Sequence, residues 1–328
     1  MGFHAYASEL QGHVPKLPFP LAEKLINRAW ERIRRKRLWS FLIREANLFF
    51  PAAIGDGTVS VTYGSPTVVG DATAAAQWTT QLLGVPVPLL NRQFRVGTSG
   101  PVYNISAVST TVNPNDTLTL DEDYGYTTNA STQYSIYSAY KTAPATDFKR
   151  WQTIMDPVNG YPLTCNFPRV GLDIIDPTRG AQGQAYRVIN YKSDPTTNVP
   201  IFEFWPHQTY EITFKAMYEV RGTDFVDADD ELPPAIPEGV LIDSALANYA
   251  YPWANANVAR YPELKGTNWL ALSVDARNRM KVDMMEIERS DEEAVQQRMT
   301  LLRKTYGLYY PISGRFEQSH SSWNLNAP

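Results

Sequence analysis

Residues 266–304 read GTNWLALSVDARNRMKVDMMEIERSDEEAVQQRMTLLRK, and their spacing decides the architecture. Trp269, Leu272, Ala276, Met280, Met284 and Ile287 recur at steps of three or four. On an α-helix such residues share one face, and that face must be buried. Asp275, Arg277, Asn278, Lys281 and Asp283 fall between them and point to water or to another chain. Ser290, followed by Asp291, Glu292 and Glu293, has the pattern of a capping box and predicts a restart or kink at that point. Arg303 and Lys304 suit the negative C-terminal end of a helix.

Working outward, residues 238–261 form a second helical stretch. It begins after Pro233, Pro234 and Pro237, which mark a boundary because proline fits neither mid-helix nor mid-strand. An acidic stretch, 224–231, connects these helices to a β group with predicted strands at 185–191, 200–205 and 210–220. The last two read as a hairpin turning at 206–208, with Ile212, Phe214 and Ala216 on one face. Residues 145–155 carry helical spacing, whereas 165–179 are too rich in Pro and Asp to fix an element.

Between 57 and 140 the period changes from helical to alternating. Short strands follow at 58–62, 67–69, 94–96, 102–108, 117–120 and 133–137, separated by turn formers, with one helical turn at 71–77. This is the pattern of a compact antiparallel sandwich or barrel inserted into the chain. Before it, residues up to Pro20 read as an extended arm. A helix then spans 21–38 with Leu25, Ile26, Ala29, Trp30 and Ile33 buried.

The fold class is therefore α+β: a helical bundle core with a β hairpin or sheet and an inserted antiparallel β-sandwich or barrel domain. The divisions fall at 1–56 (arm and basic helix), 57–140 (insert), 141–237 (sheet region and acidic loop), 238–304 (core helices) and 305–328 (docking tail).

Composition narrows the function. Thirty-four acidic against 30 basic residues give a formal charge of -4, which argues against a nucleic-acid binder with a wholly basic surface. A lone cysteine, Cys165, excludes an internal disulfide framework and a multi-cysteine zinc site. No apolar run approaches the ~18 residues that a membrane helix needs, and no charged-then-apolar signal pattern opens the chain, so neither a membrane partner nor export is expected.

Few residues suggest chemistry. Neither common phosphate-binding glycine loop is present, and His4, His13, His207 and His320 are scattered, so no cofactor is expected. The acidic residues Asp224, Asp227, Asp229, Asp230 and Glu231 lack the glycine of a calcium loop and read as a solvated or inter-subunit loop, with no metal expected. Cys165 with His207 has no nucleophile context, and no carboxylate pair stands out as a glycosidase dyad. The protein is expected not to be an enzyme.

The basic run Arg32, Arg34, Arg35, Lys36 and Arg37 exceeds what a helix dipole requires. It suits a solvated helix end, an acidic neighbouring subunit, or DNA phosphates. The tail carries Tyr306, Tyr309, Tyr310, Arg315, Phe316 and Trp323 among Gly, Ser and Asn, too aromatic to prefer solvent, and is expected to dock on a partner.

The order of basic helix, β insert, β hairpin, acidic loop and C-terminal helices resembles the head-to-tail adaptor proteins of short-tailed bacteriophages, the tail tubular protein A group. Leu17-Pro18-Phe19-Pro20-Leu21-Ala22-Glu23 with Trp39-Ser40-Phe41 carries the likeness at the start. In the insert it is carried by Gly57-Thr58-Val59-Ser60-Val61-Thr62-Tyr63-Gly64-Ser65, Gln93-Phe94-Arg95-Val96, Val102-Tyr103-Asn104-Ile105, Leu118-Thr119-Leu120 and Tyr134-Ser135-Ile136-Tyr137. Phe202-Glu203-Phe204-Trp205-Pro206 and the passage from Leu232-Pro233 to Tyr249 carry it further, while residues 142–183 have no counterpart.

The resemblance implies a virion protein of the neck and tail region, assembled in the host cytoplasm as a ring of about twelve copies. Its implied partners are its own copies, the portal protein through the aromatic tail, a tail nozzle or tail tube protein, tail fibres, and passing double-stranded DNA without sequence specificity, with the acidic residues of 224–231 as implied channel liners. The alternative is a glycan- or receptor-binding β-module of a tail fibre, with Tyr103, Tyr124, Tyr126 and Trp78 as stacking faces.

Overall fold

The computed structural model describes residues 2–84, 89–97, 100–109 and 117–305. Helices α1 (Phe3–His13) and α2 (Phe19–Lys36) lead into strand β1 (Ile43–Phe50). An insert follows, with β2 (Val59–Val61), β3 (Thr67–Gly70), α3 (Ala72–Gly84), β4 (Gln93–Val96), β5 (Val102–Ser109), β6 (Thr117–Leu120), β7 (Asn129–Thr132) and β8 (Tyr134–Tyr137). The chain returns through β9 (Tyr140–Thr142), β10 (Phe148–Asp156), β11 (Tyr161–Pro162), β12 (Thr164–Phe167), α4 (Arg169–Ile175), β13 (Arg187–Ser193), β14 (Pro200–Trp205) and β15 (Ile212–Val220). It closes with α5 (Glu238–Ala245), a π-helical turn (Leu246–Ala250), α6 (Tyr251–Ala256) and α7 (Trp269–Thr305). The protein is α+β.

The body has two four-stranded sheets, ordered β1-β15-β10-β11 and β12-β13-β14-β9. Aromatic side chains join them: Phe50 meets Phe204 at 4.7 Å between ring centroids, and Phe202 meets Phe148 and Trp151 at 5.2 Å each. The helices extend the same core through Tyr6, Leu10, Ile26, Trp30, Leu241 and Ala276. A fully buried side chain of this size contributes ~1.5–3 kcal/mol, so this cluster sets the stability of the body.

The insert has its own core around Trp78, Phe94, Ile105, Leu118 and Ile136. Its sheet runs β7-β2-β3-β6-β5-β4-β8. The two edge strands, β7 and β8, are separated in the chain only by Gln133, so the sheet must curl until its ends meet. The helical turn expected at 71–77 is a 13-residue helix, α3, which lays Trp78 into the curl.

Several expectations are corrected. The N-terminal arm is instead helix α1, whose Phe3, Tyr6, Ala7 and Leu10 are buried at helical spacing, because the prolines begin only at Pro15. Residues 145–155 are mostly strand. Two β-bulges in β10, between Phe148 and Arg150 and between Trp151 and Thr153, put its buried side chains Phe148, Trp151 and Ile154 at steps of three, which imitate a helix. The hairpin at 206–208 does not form, since β14 pairs with β13 and β9 while β15 pairs with β1 and β10. Both edges of β15 are taken, so β14 has none to join. Ile212, Phe214 and Ala216 do share a buried face of β15.

Helix α7 runs unbroken through Ser290, whose hydroxyl donates to the Ile287 carbonyl at 3.0 Å instead of capping. Asp291 turns inward, 4% exposed, and accepts from the Ser40 backbone N–H at 2.9 Å. On the predicted face Trp269, Ala276, Met284 and Ile287 are buried, but Leu272 is exposed. Ser273 is buried in its place and donates to Ala247 O at 2.9 Å, a small side chain that lets α7 approach the π-helical turn closely.

Insert and body meet at a polar junction. Arg95, fully buried, donates to Gly100 O (2.7 Å) within the insert and to Thr178 O (2.6 Å) and Arg179 O (3.1 Å) in the body. Tyr137 stacks on His207 at 4.6 Å, and the buried Glu203 faces Arg179 Nε at 3.0 Å. Burial opposes charge on Asp176, but the Trp205 indole and the Ala181 and Gly180 N–H groups bond to its carboxylate and hold its pKa below the ordinary value.

Candidate functional site

The basic run ends α2 and the acidic stretch follows β15, and the fold brings the two together. Arg34, 6% exposed, pairs with Asp224 and donates to the Gly222 carbonyl, with its guanidinium 5.3 Å from the Trp30 ring. Gly222 has φ +70, a left-handed conformation that glycine adopts without strain, and an added Cβ would meet Arg34 Cδ at 3.1 Å. Phe225 is pinned on the same side, by Asn27 through paired bonds of 3.0 and 2.9 Å and by the stacked ring of Trp30 at 5.6 Å.

The other members of the run diverge. Arg32 donates to Asn248 Oδ1 at 3.0 Å, and Arg35 pairs with Glu31 at 2.6 Å. Lys36 reaches Glu288 at 2.6 Å, while Arg37 donates to Glu288 O at 2.7 Å and lies 3.8 Å from Asp291. The run thus connects α2 to the acidic loop, the π-helical turn and α7, leaving Arg32, Arg35 and Lys36 exposed.

In the loop, the Val226 and Asp227 backbone N–H groups bond to Asp230 at 2.6 and 2.8 Å and hold its carboxyl below the ordinary range. Asp227, Asp229 and Glu231 are exposed, and Val226 protrudes between the acids with 78% of its surface open. The predicted tail residues Tyr306, Tyr309, Tyr310, Arg315, Phe316 and Trp323 lie outside the described residues.

No family model matches the chain, and a search of curated proteins finds no match.

Two features escaped the sequence reading. Between α2 and α7 lies a groove of about 640 Å³ with Ile33, Tyr249, Met280 and Met284 in its walls. Arg28, Arg32, Arg35, Lys36 and Lys281 surround it. Beside it, α7 exposes a further apolar strip, Leu270, Val274, Val282 and Met285, which the choice of a single buried face passes over. The register 270, 274, 282, 285 in the sequence is the signal that could have found it.

Other candidates settle as structural. Burial pushes the Cys165 thiol up to about 12, so it remains protonated at neutral pH. Trp78, Tyr103 and Tyr124 are core residues of the insert, and of the four proposed stacking faces Tyr126 alone is exposed. Among the described residues no His, Cys, Asp or Glu group could hold a metal, and no helix is long and apolar enough to cross a membrane.

Proposed function

We propose that this chain is a structural virion protein, a ring-forming head-to-tail adaptor that links the portal to the tail and forms part of the DNA conduit. The observation that carries the proposal is α7. At 37 residues it extends ~55 Å, and among its described residues it is apolar on two faces, of which the chain covers one. An uncovered apolar strip along a long helix is characteristic of a subunit surface awaiting neighbours.

The remaining features support the same role. Ring closure needs unlike faces on each subunit, and this chain has a basic-edged groove and an acidic loop. A formal charge of -4 suits a passage that duplex must not adhere to. The aromatic tail is the proposed portal contact, with Tyr and Trp as anchors. Tail nozzle or tube protein and fibres are the proposed partners on the opposite side. The glycan-binding alternative loses three of its four stacking faces to the insert core.

Electron-microscope class averages of the purified protein, alone and with the portal, test this. Annular particles of about twelve copies are expected. Monomers or fibre-like trimers in both samples refute the proposal.

A further inference from the structure

We infer that the groove between α2 and α7 receives the acidic loop 224–231 of a second copy of this chain. The inference rests on the ring reading above and names the contact that would build it. Three observations lead to it.

The first is charge. Of the five cations around the groove, Arg35 is paired with Glu31 and Lys36 with Glu288. Arg28, Arg32 and Lys281 have no ion-pair partner among the described residues, although Arg32 touches the Asn248 amide. The loop offers Asp227, Asp229 and Glu231, which likewise have no ion-pair partner among the described residues. Three uncompensated cations therefore face a set of three uncompensated carboxylates.

The second is shape. The groove is walled by Ile33, Tyr249, Met280 and Met284, and Met side chains adapt to an incoming apolar group. The loop carries one large exposed apolar residue amid its acids, Val226. Asp230 fixes that tip by bonding to the backbone N–H of both Val226 and Asp227, so the projection is held in place before any contact forms.

The third is placement. Asn27, Trp30 and Arg34 hold the loop stem to one flank of α2. Arg28, Arg32 and Lys36 recur at i, i+4 and i+8 and lie on another flank, beside the groove. At 100° per residue the two sets point in largely opposite directions, so a chain cannot fill its own groove with its own loop. A surface that fits a different surface of an identical copy makes a head-to-tail contact, which closes into a ring when its rotation permits. The exposed strip of α7 adjoins the groove and extends the same interface.

Charge reversal tests this in the full-length chain. Arg28→Glu with Arg32→Glu on one variant, and Asp227→Lys with Asp229→Lys on another, are each expected to weaken self-association at least tenfold in mass photometry. Mixing the two variants is expected to restore assembly, because each loop then faces a groove of opposite charge. An engineered pair, Val226→Cys with Met280→Cys in one chain, is expected to give ladders of multimers on oxidation, with neither single variant doing so.

Wild-type self-association by both reversed variants, no rescue on mixing, or a chain that stays monomeric at every concentration overturns the inference. So does a groove that retains an acidic polymer while the reversals leave self-association unchanged. If rings form regardless of the reversals, this contact is wrong and the adaptor reading survives. If rings depend on it but bind no portal, the contact stands and the adaptor reading falls.

Discussion

Replacing Arg95 with Met should uncouple the insert from the body. Arg95 is fully buried and makes three hydrogen bonds, two of which cross from β4 to the carbonyls of Thr178 and Arg179. A bond from a charged donor contributes at least ~1.5 kcal/mol, so the three amount to ~4.5 kcal/mol. Met keeps the aliphatic stem and abolishes the cost of burying a guanidinium, which offsets part of the loss and leaves a net destabilisation of ~3 kcal/mol. The insert has its own core, so the loss should appear as an early, separate transition in differential scanning calorimetry, lowered by ~10 °C or more, with the body melting near its original temperature. Limited proteolysis should then cut near 178–183 at temperatures where the parent is resistant. A single cooperative transition displaced by less than ~1 kcal/mol would refute the claim that this side chain locks the two cores together.

Three further outcomes are expected. Asp291→Ala should cost ~2 kcal/mol in urea unfolding, because the Ser40 N–H and Arg37 lose a buried partner, whereas Ser290→Ala beside it should stay within ~0.5 kcal/mol. The Asp176 carboxyl has a depressed folded pKa, so its stabilisation is complete above the unfolded value of ~3.9 and disappears as pH falls through the lower folded value. Guanidinium midpoints measured from pH 7 to pH 3 should therefore drop below about pH 4, and less steeply in Asp176→Asn. Cys165 should resist a thiol reagent at pH 8 in the folded protein and react at once on denaturation, since burial raises its pKa to about 12.

Residue spacing made the helices legible wherever burial followed a single face. Leu25, Ile26, Ala29, Trp30 and Ile33 marked α2, and Trp269, Ala276, Met284 and Ile287 marked α7. The insert strands other than β7 were legible because turn-forming residues separate short alternating runs, whereas the polar Asn129–Thr132 carries no such alternation. Phe148, Trp151 and Ile154 misled because a bulge shifts strand alternation towards helical spacing. Strand partners were invisible in principle, since β15 finds β1 some 160 residues away and nothing local in its sequence names that partner. Of the candidate site, the charged runs were plain in the sequence. Arg34 sinking onto Trp30 while Arg32 stays out was not, because that depends on which flank of α2 receives the loop.

Helix α7 is tied to the rest of the chain at points far apart along its length, among them Ser273 at the π-helical turn and Asp291 at Ser40. At 1.5 Å per residue those two ties stand ~27 Å apart on one rigid rod. A load on one tie is delivered to the other along the helix axis, so the π-helical turn and the segment leading into β1 are levered together. Inserting one heptad between them would carry Asp291 ~10 Å past Ser40 and release that tie while leaving the other in place.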